Sequence, residues 1–223
     1  MSVNDTLLKV PLFAHLDEAA IEKIGKVTRL KTYPKNSIIV FENDPGDSLY
    51  VVDKGQVKVV LTGEDGREVI LSVLGDGDFF GEMSLVDDLP RSANVIAMED
   101  STLIVLYRDE FRRCLSETPS IALGLMQSLS RRLRSADDKI GGLVLLDVPG
   151  RIARLLIELA DQGDGSTISR KITHHTIAQM VGSSRETVSR TIGNLADRGI
   201  IHVTRKSIEI RDRAGLKGAA GLQ

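Results

Sequence analysis

An apolar repeat near the middle of the chain constrains its fold more than any other feature of the sequence. No proline lies between Pro119 and Pro149, and proline itself is well tolerated at the first position of a helix. In this stretch apolar residues recur at alternating spacings of four and three: Ala122, Met126, Leu129, Leu133, Ala136, Ile140 and Leu143. Such a heptad seam is buried against a second helix. We therefore predict a long helix that pairs with its copy in a homodimer rather than a core helix of one globular domain, with Arg131 and Arg132 as solvated flanks of the seam.

The region before this helix has the pattern of a sheet. Short β-branched runs alternate with glycine-containing turns, and the runs are Ser37–Phe41, Leu49–Asp53, Gln56–Leu61, Glu68–Leu74, Ala93–Met98 and Thr102–Tyr107. Short strands at nearly regular spacing indicate an antiparallel sandwich or barrel. Apolar residues between Asp17 and Lys26 indicate a short amphipathic helix packed against that sheet. The predicted fold class is α+β.

Charge is divided unevenly along the chain. Residues 1–150 hold 17 Lys+Arg against 24 Asp+Glu, whereas residues 151–223 hold 12 against 7, which gives net charges of −7 and +5. A basic C-terminal third on an acidic body favours a polyanion as the partner of that third.

The composition excludes several kinds of site. One cysteine, Cys114, rules out an intramolecular disulfide, a cysteine-rich zinc site and an all-cysteine iron–sulfur cluster. No apolar stretch approaches the roughly 18 residues of a membrane helix, and the first residues lack the apolar core of a secretory signal. No nucleophile–base pair stands in a common motif, so we expect no catalysis and no metal. We expect a cytoplasmic protein with no membrane partner.

The most specific local signal is a helix-turn-helix pattern. Two helices that cross closely need a small residue in the first, a glycine at the turn and a branched apolar residue in the second. Ala178, Gly182 and Val188 meet these needs at offsets of four and six. Ser183 and Glu186 also have the spacing of a capping box at the start of the second helix.

A wing follows the helix-turn-helix pattern. Residues 200–204 and 207–210 read as two strands, and Arg205-Lys206 would form a basic tip between them. Together these signals predict a winged helix-turn-helix, which binds a DNA groove.

Polar residues cluster at the exposed start of the second helix: Ser184, Arg185, Glu186, Thr187, Ser189 and Arg190. Arginine can donate two hydrogen bonds to guanine, and glutamate can accept one from cytosine. Ser184 and Thr187 can reach phosphates at the helix N-terminus. The same residues also fit a solvated pair of Arg185 and Glu186, with Glu186 acting only as a helix cap.

Three motifs resemble those of one family. Residues 80–85 (FGEMSL) and 90–93 (PRSA) resemble the phosphate-binding cassette of cyclic-nucleotide-binding domains. Residues 184–190 (SRETVSR) resemble the recognition helix of the cyclic AMP receptor protein/FNR family of bacterial regulators, and residues 146–153 (LDVPGRIA) resemble its hinge. The motifs stand in the family's order, so the resemblance covers essentially the whole chain.

The resemblance implies an organisation and a set of partners. It implies a cyclic-nucleotide-binding antiparallel β-roll over residues 1–118, a dimerisation helix over residues 119–148 and a DNA-binding domain over residues 149–223. Palindromic double-stranded DNA and RNA polymerase are the expected partners. Nucleotide bound to the β-roll would reposition the two recognition helices on promoter DNA.

The cassette residues have chemistry that suits a cyclic nucleotide, and the candidates are Gly81, Glu82, Met83, Ser84, Arg91 and Ser92. Gly81 would let the backbone approach the ligand, and N–H groups of Met83 and Ser84 would face its phosphate. Arg91 offers a charged fork for a phosphodiester, Ser92 a neutral donor and Glu82 an acceptor for a ribose hydroxyl. Glu82 and Arg91 could instead simply pair with each other.

The base-reading positions depart from the receptor pattern. In the cyclic AMP receptor protein the long helix supplies a Thr-Ser pair to adenine, and Ala136-Asp137 occupy the matching positions in this sequence. The Ala136 side chain has no polar atom, whereas ionised Asp137 is an acceptor suited to the N–H edge of guanine. We expect cyclic AMP as the effector, with cyclic di-GMP or another guanine cyclic nucleotide as the alternative.

Two other functions stay open at this point. The chain could regulate DNA without any ligand, or it could be a cyclic-nucleotide-binding regulatory subunit that acts through protein contacts. The second alternative would not need Gly182 or the charged face at Arg185 to Arg190.

Overall fold

The structure is a computed structural model that describes residues 2–168, 172–204 and 207–221. The chain divides into two compact units, Met1–Leu133 and Arg134–Gln223. The predicted division at residues 118 and 148 stays a prediction.

Two antiparallel sheets and several helices make up the first unit. Its helices are α1 (Val3–Leu7), α2 (Glu18–Val27), α3 (Met83–Val86) and α4 (Arg108–Glu117). Its strands are β1 (Arg29–Tyr33), β2 (Ile38–Val40), β3 (Ser48–Lys54), β4 (Val57–Thr62), β5 (Glu68–Leu74), β6 (Phe79–Phe80), β7 (Asn94–Ala97) and β8 (Ser101–Tyr107). One sheet has the order β1-β8-β3-β6 and the other β2-β7-β4-β5. The helix α5 (Pro119–Leu145) follows, and the division between the units falls inside it.

Strand β3 shows how the sheet builds the core. Successive side chains of a strand point to opposite faces. Leu49 and Val51 therefore belong to a cluster with apolar residues of α2 and α4, whereas Tyr50 and Val52 belong to a cluster with residues of the other sheet. The sheet β1-β8-β3-β6 is thus covered on both faces, and the α+β prediction is confirmed.

The prediction missed two strands of the first unit. β1 is an edge strand whose first four residues are all exposed, so its sequence has no alternation of apolar and polar residues. β6 contains only two residues, both buried, and is too short to show a period.

The second unit continues with α6 (Val148–Asp161), β9 (Thr167–Ile168), α7 (His174–Val181), α8 (Arg185–Asp197), β10 (Ile201–Val203), β11 (Ile208–Ile210) and α9 (Arg213–Ala219). The three strands form an antiparallel sheet of order β10-β11-β9. Its core is aliphatic and includes Ile152, Leu156, Ile177, Val188 and Ile192.

Two helix ends differ from the prediction. Within the predicted hinge at residues 146–153, α6 already begins at Val148, because the Oδ1 atom of Asp147 accepts a hydrogen bond from the Gly150 N–H at 2.8 Å. Pro149 lies in the first turn, where a missing N–H breaks no helical hydrogen bond. The long helix ends at Leu145 rather than at residue 148, so residues 146–147 alone separate α5 from α6.

Candidate functional site

The predicted cassette begins at a glycine that the structure requires. Gly81 follows β6 with a φ of +86°, a conformation that side chains disfavour. A Cβ atom at this position would lie 2.6 Å from Nη1 of Arg91 and 2.8 Å from the carbonyl oxygen of Ser48. Gly81 therefore provides both the turn and the space for the arginine.

Arg91 is a buried cation held by backbone oxygens. Its side chain is 4% exposed, and its Nη1 and Nη2 donate to the carbonyls of Gly81 and Ser48 at 2.9 and 2.8 Å. Burial lowers the pKa of Arg91, whereas Tyr50, Asp47 and Glu82 raise it. Arginine stays charged under these conditions, so the guanidinium is positioned to attract an anion.

Glu82 has a different partner from the one considered in the sequence. It is 1% exposed, and its Oε1 accepts a hydrogen bond at 2.7 Å from Nη1 of Arg132 on α5. Arg132 also donates to the Phe79 carbonyl, and its guanidinium lies 4.7 Å from the centre of the Phe79 ring. The interpretation of Glu82 and Arg91 as a pair is wrong. Arg132 is exposed, as predicted for a flank of the seam, but it also binds Glu82.

The second carboxylate oxygen of Glu82 is the most informative atom of the site. Oε2 is buried and has no hydrogen-bond partner within the described part of the chain. A buried acceptor without a donor is unfavourable, so a donor supplied by a bound molecule would stabilise it. A ribose hydroxyl is such a donor, and the phosphodiester of a cyclic nucleotide is an anion for Arg91. The residues present therefore fit a cyclic nucleotide.

The remaining cassette residues differ in exposure. Met83 is 48% exposed, and its Sδ lies 3.9 Å from the exposed Ser92 hydroxyl. Ser84 is buried on the inner side of α3. A Cβ atom on Gly46 would overlap Ser84, so the turn before β3 needs a glycine to pack against α3. The sequence pattern predicted only a turn at this position, and no motif marks Gly46 or Ser48 as parts of the site.

The two predicted base-reading residues lie on α5 within the second unit. Ala136 and Asp137 are both exposed. Their role toward a nucleotide stays a prediction.

The helix-turn-helix prediction corresponds to α7 and α8. Gly182 ends α7 in the left-handed conformation with a φ of 64°, and a Cβ atom there would meet open space. Its requirement is therefore conformational, whereas Ala178 and Val188 are buried between the helices.

The N-terminus of α8 corrects the predicted capping box. Ser184, not Ser183, is the N-cap, and its Oγ accepts a hydrogen bond from the Thr187 N–H at 3.1 Å. Glu186 is therefore the second residue of the helix and not the third, which is the position that a capping box requires. The backbone N–H of Glu186 itself lowers the pKa of that residue most, followed by the hydroxyl of Ser184, with a smaller effect from Arg185.

The charged face of α8 is open to solvent. Ser184, Arg185, Glu186, Ser189 and Arg190 are exposed, and Thr187 is half-buried. In the wing, β10 and β11 pair as predicted, with Ile201 opposite Ile210. The predicted basic tip at Arg205-Lys206 lies outside the described residues.

The apolar seam of α5 is exposed along much of its length. Met126, Leu133, Ile140 and Leu143 are each 57–63% exposed.

Within the described residues, no helix is long and apolar enough to cross a membrane. In the same residues, no three His, Cys, Asp or Glu side chains form a group that could hold a metal ion.

Known protein families match both units. The cyclic nucleotide-binding domain family matches residues 30–118, and the Crp-like helix-turn-helix domain family matches residues 150–219. The chain is 33% identical over 215 residues to the CRP-like cAMP-activated global transcriptional regulator of Mycobacterium tuberculosis, covering 94% of this chain and 96% of that protein. It is 36% identical over 210 residues to the cyclic AMP receptor protein of Thermus thermophilus, with the same two coverages of 94% and 96%.

One solved structure adds a different ligand to the comparison. The c-di-GMP responsive global regulator CLP of Xanthomonas campestris is similar with a TM-score of 0.75 and 25% identity, covering 87% of this chain and 99% of that one. The similar proteins thus include one whose name specifies cAMP and one whose name specifies c-di-GMP.

Proposed function

The chain belongs to the cyclic AMP receptor protein/FNR family of transcription regulators, and we propose that it is a homodimer that binds palindromic promoter DNA in response to a cyclic nucleotide. Cyclic AMP is the first candidate effector, and cyclic di-GMP or another guanine cyclic nucleotide is the second. RNA polymerase is the proposed protein partner of the DNA-bound form.

One observation carries the nucleotide-binding part of this proposal. Arg91 and Glu82 are oppositely charged and both buried, yet each is held by other groups rather than by its neighbour. Such an arrangement presents a cation and an acceptor side by side. A cyclic nucleotide supplies an anionic phosphodiester and a neighbouring ribose hydroxyl when bound, and Arg91 and Glu82 Oε2 would bind these two groups.

Calorimetric titration with cyclic AMP and with cyclic di-GMP tests this proposal. Arg91→Ala and Glu82→Gln should each weaken binding by at least about tenfold, because hydrogen bonds to charged groups contribute about 1.5–3 kcal/mol. Arg67→Ala is the matched control, since Arg67 is exposed in the β4–β5 turn and pairs only locally with Asp65. Unchanged affinity in the Arg91 and Glu82 variants would refute the assigned site.

The choice between the two effectors depends on Ala136 and Asp137. The cAMP-activated relatives support cyclic AMP, whereas an acceptor at position 137 supports a guanine base. The double substitution Ala136→Thr with Asp137→Ser restores the receptor's pair. If cyclic AMP is the effector, this variant should bind it more tightly; if a guanine nucleotide is the effector, the variant should lose affinity for it.

The homodimer is supported by the exposed seam of α5. Large apolar side chains that recur at heptad spacing and remain exposed in a single chain indicate a partner helix. Sedimentation analysis should give twice the chain mass, and Leu133→Glu with Ile140→Glu should give monomers. A monomeric wild-type protein would contradict this part of the proposal.

Arg132 offers a physical route from nucleotide to helix. It lies on the seam helix and holds the same carboxylate that is proposed to accept the ribose hydroxyl. A ligand that changes the strength of this ion pair has different affinities for different arrangements of α5, so it shifts their populations. Arg132→Gln should therefore reduce the difference in DNA affinity between the nucleotide-bound and nucleotide-free protein.

DNA recognition is proposed for the exposed face of α8. Arg185, Glu186 and Arg190 would read base edges, while Ser184, Thr187 and Ser189 would contact phosphates. A mobility-shift assay on palindromic DNA, with and without nucleotide, distinguishes the proposed nucleotide-dependent regulator from a ligand-independent regulator and from a regulatory subunit that acts through protein contacts. Equal binding in both conditions favours a ligand-independent regulator, and nucleotide binding without any DNA binding favours a regulatory subunit.

A further inference from the structure

Arg108, the first residue of α4, makes an unusual set of contacts beneath the cassette. Its Nη2 donates to the carbonyl of Ser84 at 2.9 Å and also to the carbonyl of Gly46, while its Nη1 pairs with Asp88. Its backbone N–H donates to the Asp47 carbonyl at 2.8 Å. One residue thus joins the helix α3, the turn before β3 and the segment after α3.

Two of these three attachments lead along the chain to the proposed phosphate-binding residue, Arg91. The turn held by Arg108 continues into Ser48, whose carbonyl accepts from Arg91. The segment after α3 leads through Asp88 to Arg91 itself, and Asp88 has a positive φ of 59° that must be maintained. Arg108 is therefore connected to Arg91 through two backbone routes.

Arg108 is suited to hold this structure rather than to bind the ligand directly. Its side chain is 25% exposed, and its guanidinium already donates hydrogen bonds to two carbonyls and a carboxylate. It lines a cavity of about 360 Å³ together with Asn43, Pro45, Asp47 and Leu89. Only a planar guanidinium can donate to all these acceptors at once, because a lysine ammonium lacks the fork geometry.

We propose that Arg108 is a positioning residue that keeps the cassette and Arg91 in the geometry for binding a phosphodiester. The proposal rests on the nucleotide-binding function proposed above and adds a residue outside its contacts. Arg112 provides a matched control, because it also pairs with Asp88, at 2.7 Å, but donates to neither cassette carbonyl.

The test is a titration of wild type, Arg108→Gln, Arg108→Lys and Arg112→Gln with cyclic AMP and with cyclic di-GMP. For the nucleotide that the wild type binds, both Arg108 variants should lose at least about tenfold in affinity, consistent with hydrogen bonds from a charged donor to buried acceptors. Arg112→Gln should change affinity less than twofold. Thermal denaturation without nucleotide identifies any variant that fails to fold.

A second measurement separates positioning from general destabilisation. The two phosphorothioate diastereomers of the bound nucleotide place sulfur at different non-bridging oxygens, so their affinity ratio reports the geometry of the phosphate site. Arg108→Lys should change this ratio, and Arg112→Gln should not. Equal effects of the Arg108 and Arg112 variants, or an unchanged ratio in Arg108→Lys, would overturn the inference alone. A wild-type protein that binds neither nucleotide would overturn the proposed nucleotide site together with it.

Discussion

The cassette and the recognition helix both carry charged side chains, but these are buried in the cassette and exposed on the helix. Arg91 and Glu82 in the cassette are 5% and 1% exposed, and backbone carbonyls or Arg132 hold them. Arg185, Glu186 and Arg190 on α8 are exposed, and Ser184 is the N-cap of that helix. This contrast fits the two proposed partners: a small nucleotide would meet charges that are already fixed in place, whereas a long DNA duplex would meet charges that can adjust to it.

The largest difference between the two regions is expected for the removal of one arginine from each. Arg91→Ala leaves the carbonyls of Gly81 and Ser48 without their donors, and each unsatisfied buried group costs about 1–3 kcal/mol. Arg185→Ala removes an exposed side chain and should change stability by less than about 0.5 kcal/mol. Urea denaturation of the two variants measures this contrast, and equal losses of stability would show that the two arginines do not differ in their structural role.

Arg185 should have its large effect on DNA binding rather than on stability. Arg185→Ala should weaken binding to the preferred palindrome by about 1–3 kcal/mol and relax the preference at one G·C pair, since a bidentate base contact is lost. Arg190→Ala is expected to act in the same way at another position. A uniform loss on all DNA sequences would show that Arg185 contacts phosphate rather than a base.

Glycines give a smaller contrast. Gly182 needs only its left-handed backbone, so Gly182→Ala should destabilise the second unit by about 1–2 kcal/mol. Gly193 in α8 also faces open space but is helical, so Gly193→Ala should stabilise the unit by about 0.5–1 kcal/mol. Thermal denaturation compares the two, and stabilisation by Gly182→Ala would contradict the conformational explanation.

The smallest expected effect is on the stability of the folded chain at low pH, and it comes from Glu186. Because the pKa of Glu186 is lowered in the folded chain, its contribution to stability is present above the ordinary glutamate pKa and is lost as pH falls through the lowered one. Glu186→Gln should therefore flatten the acid limb of the stability profile of the second unit slightly. A steeper limb in that variant would mean that the sign of the shift is wrong.

Local patterns predicted the fold well where a regular period exists. The bounds of β5 match the predicted run Glu68–Leu74, and the turn at Gly182 lies where the spacing placed it. β1 was not predicted, because an exposed edge strand shows no alternation of apolar and polar residues. The helix α9 was not predicted, since its seven residues include two glycines and a single buried leucine.

The candidate site was only partly predictable for a related reason. The motif around Gly81 and Arg91 is local, so its residues could be proposed from the sequence alone. Arg132 could not, because its partner Glu82 lies 50 positions away and an arginine beside a heptad seam has the pattern of a solvated residue. Arg108 was missed in the same way, since its acceptors are carbonyl oxygens of Gly46 and Ser84, which no side-chain motif reveals.

The position of Arg132 has an evolutionary consequence. The groups proposed to grip the sugar and phosphate, together with Arg132, all come before residue 134, whereas the two residues proposed to read the base come after it on the same helix. If the base is read at positions 136 and 137, substitutions there would change the preferred nucleotide and leave the contacts with its sugar and phosphate unchanged. Two amino-acid substitutions would then suffice for a related protein to respond to a different second messenger, and every intermediate would still bind a cyclic nucleotide.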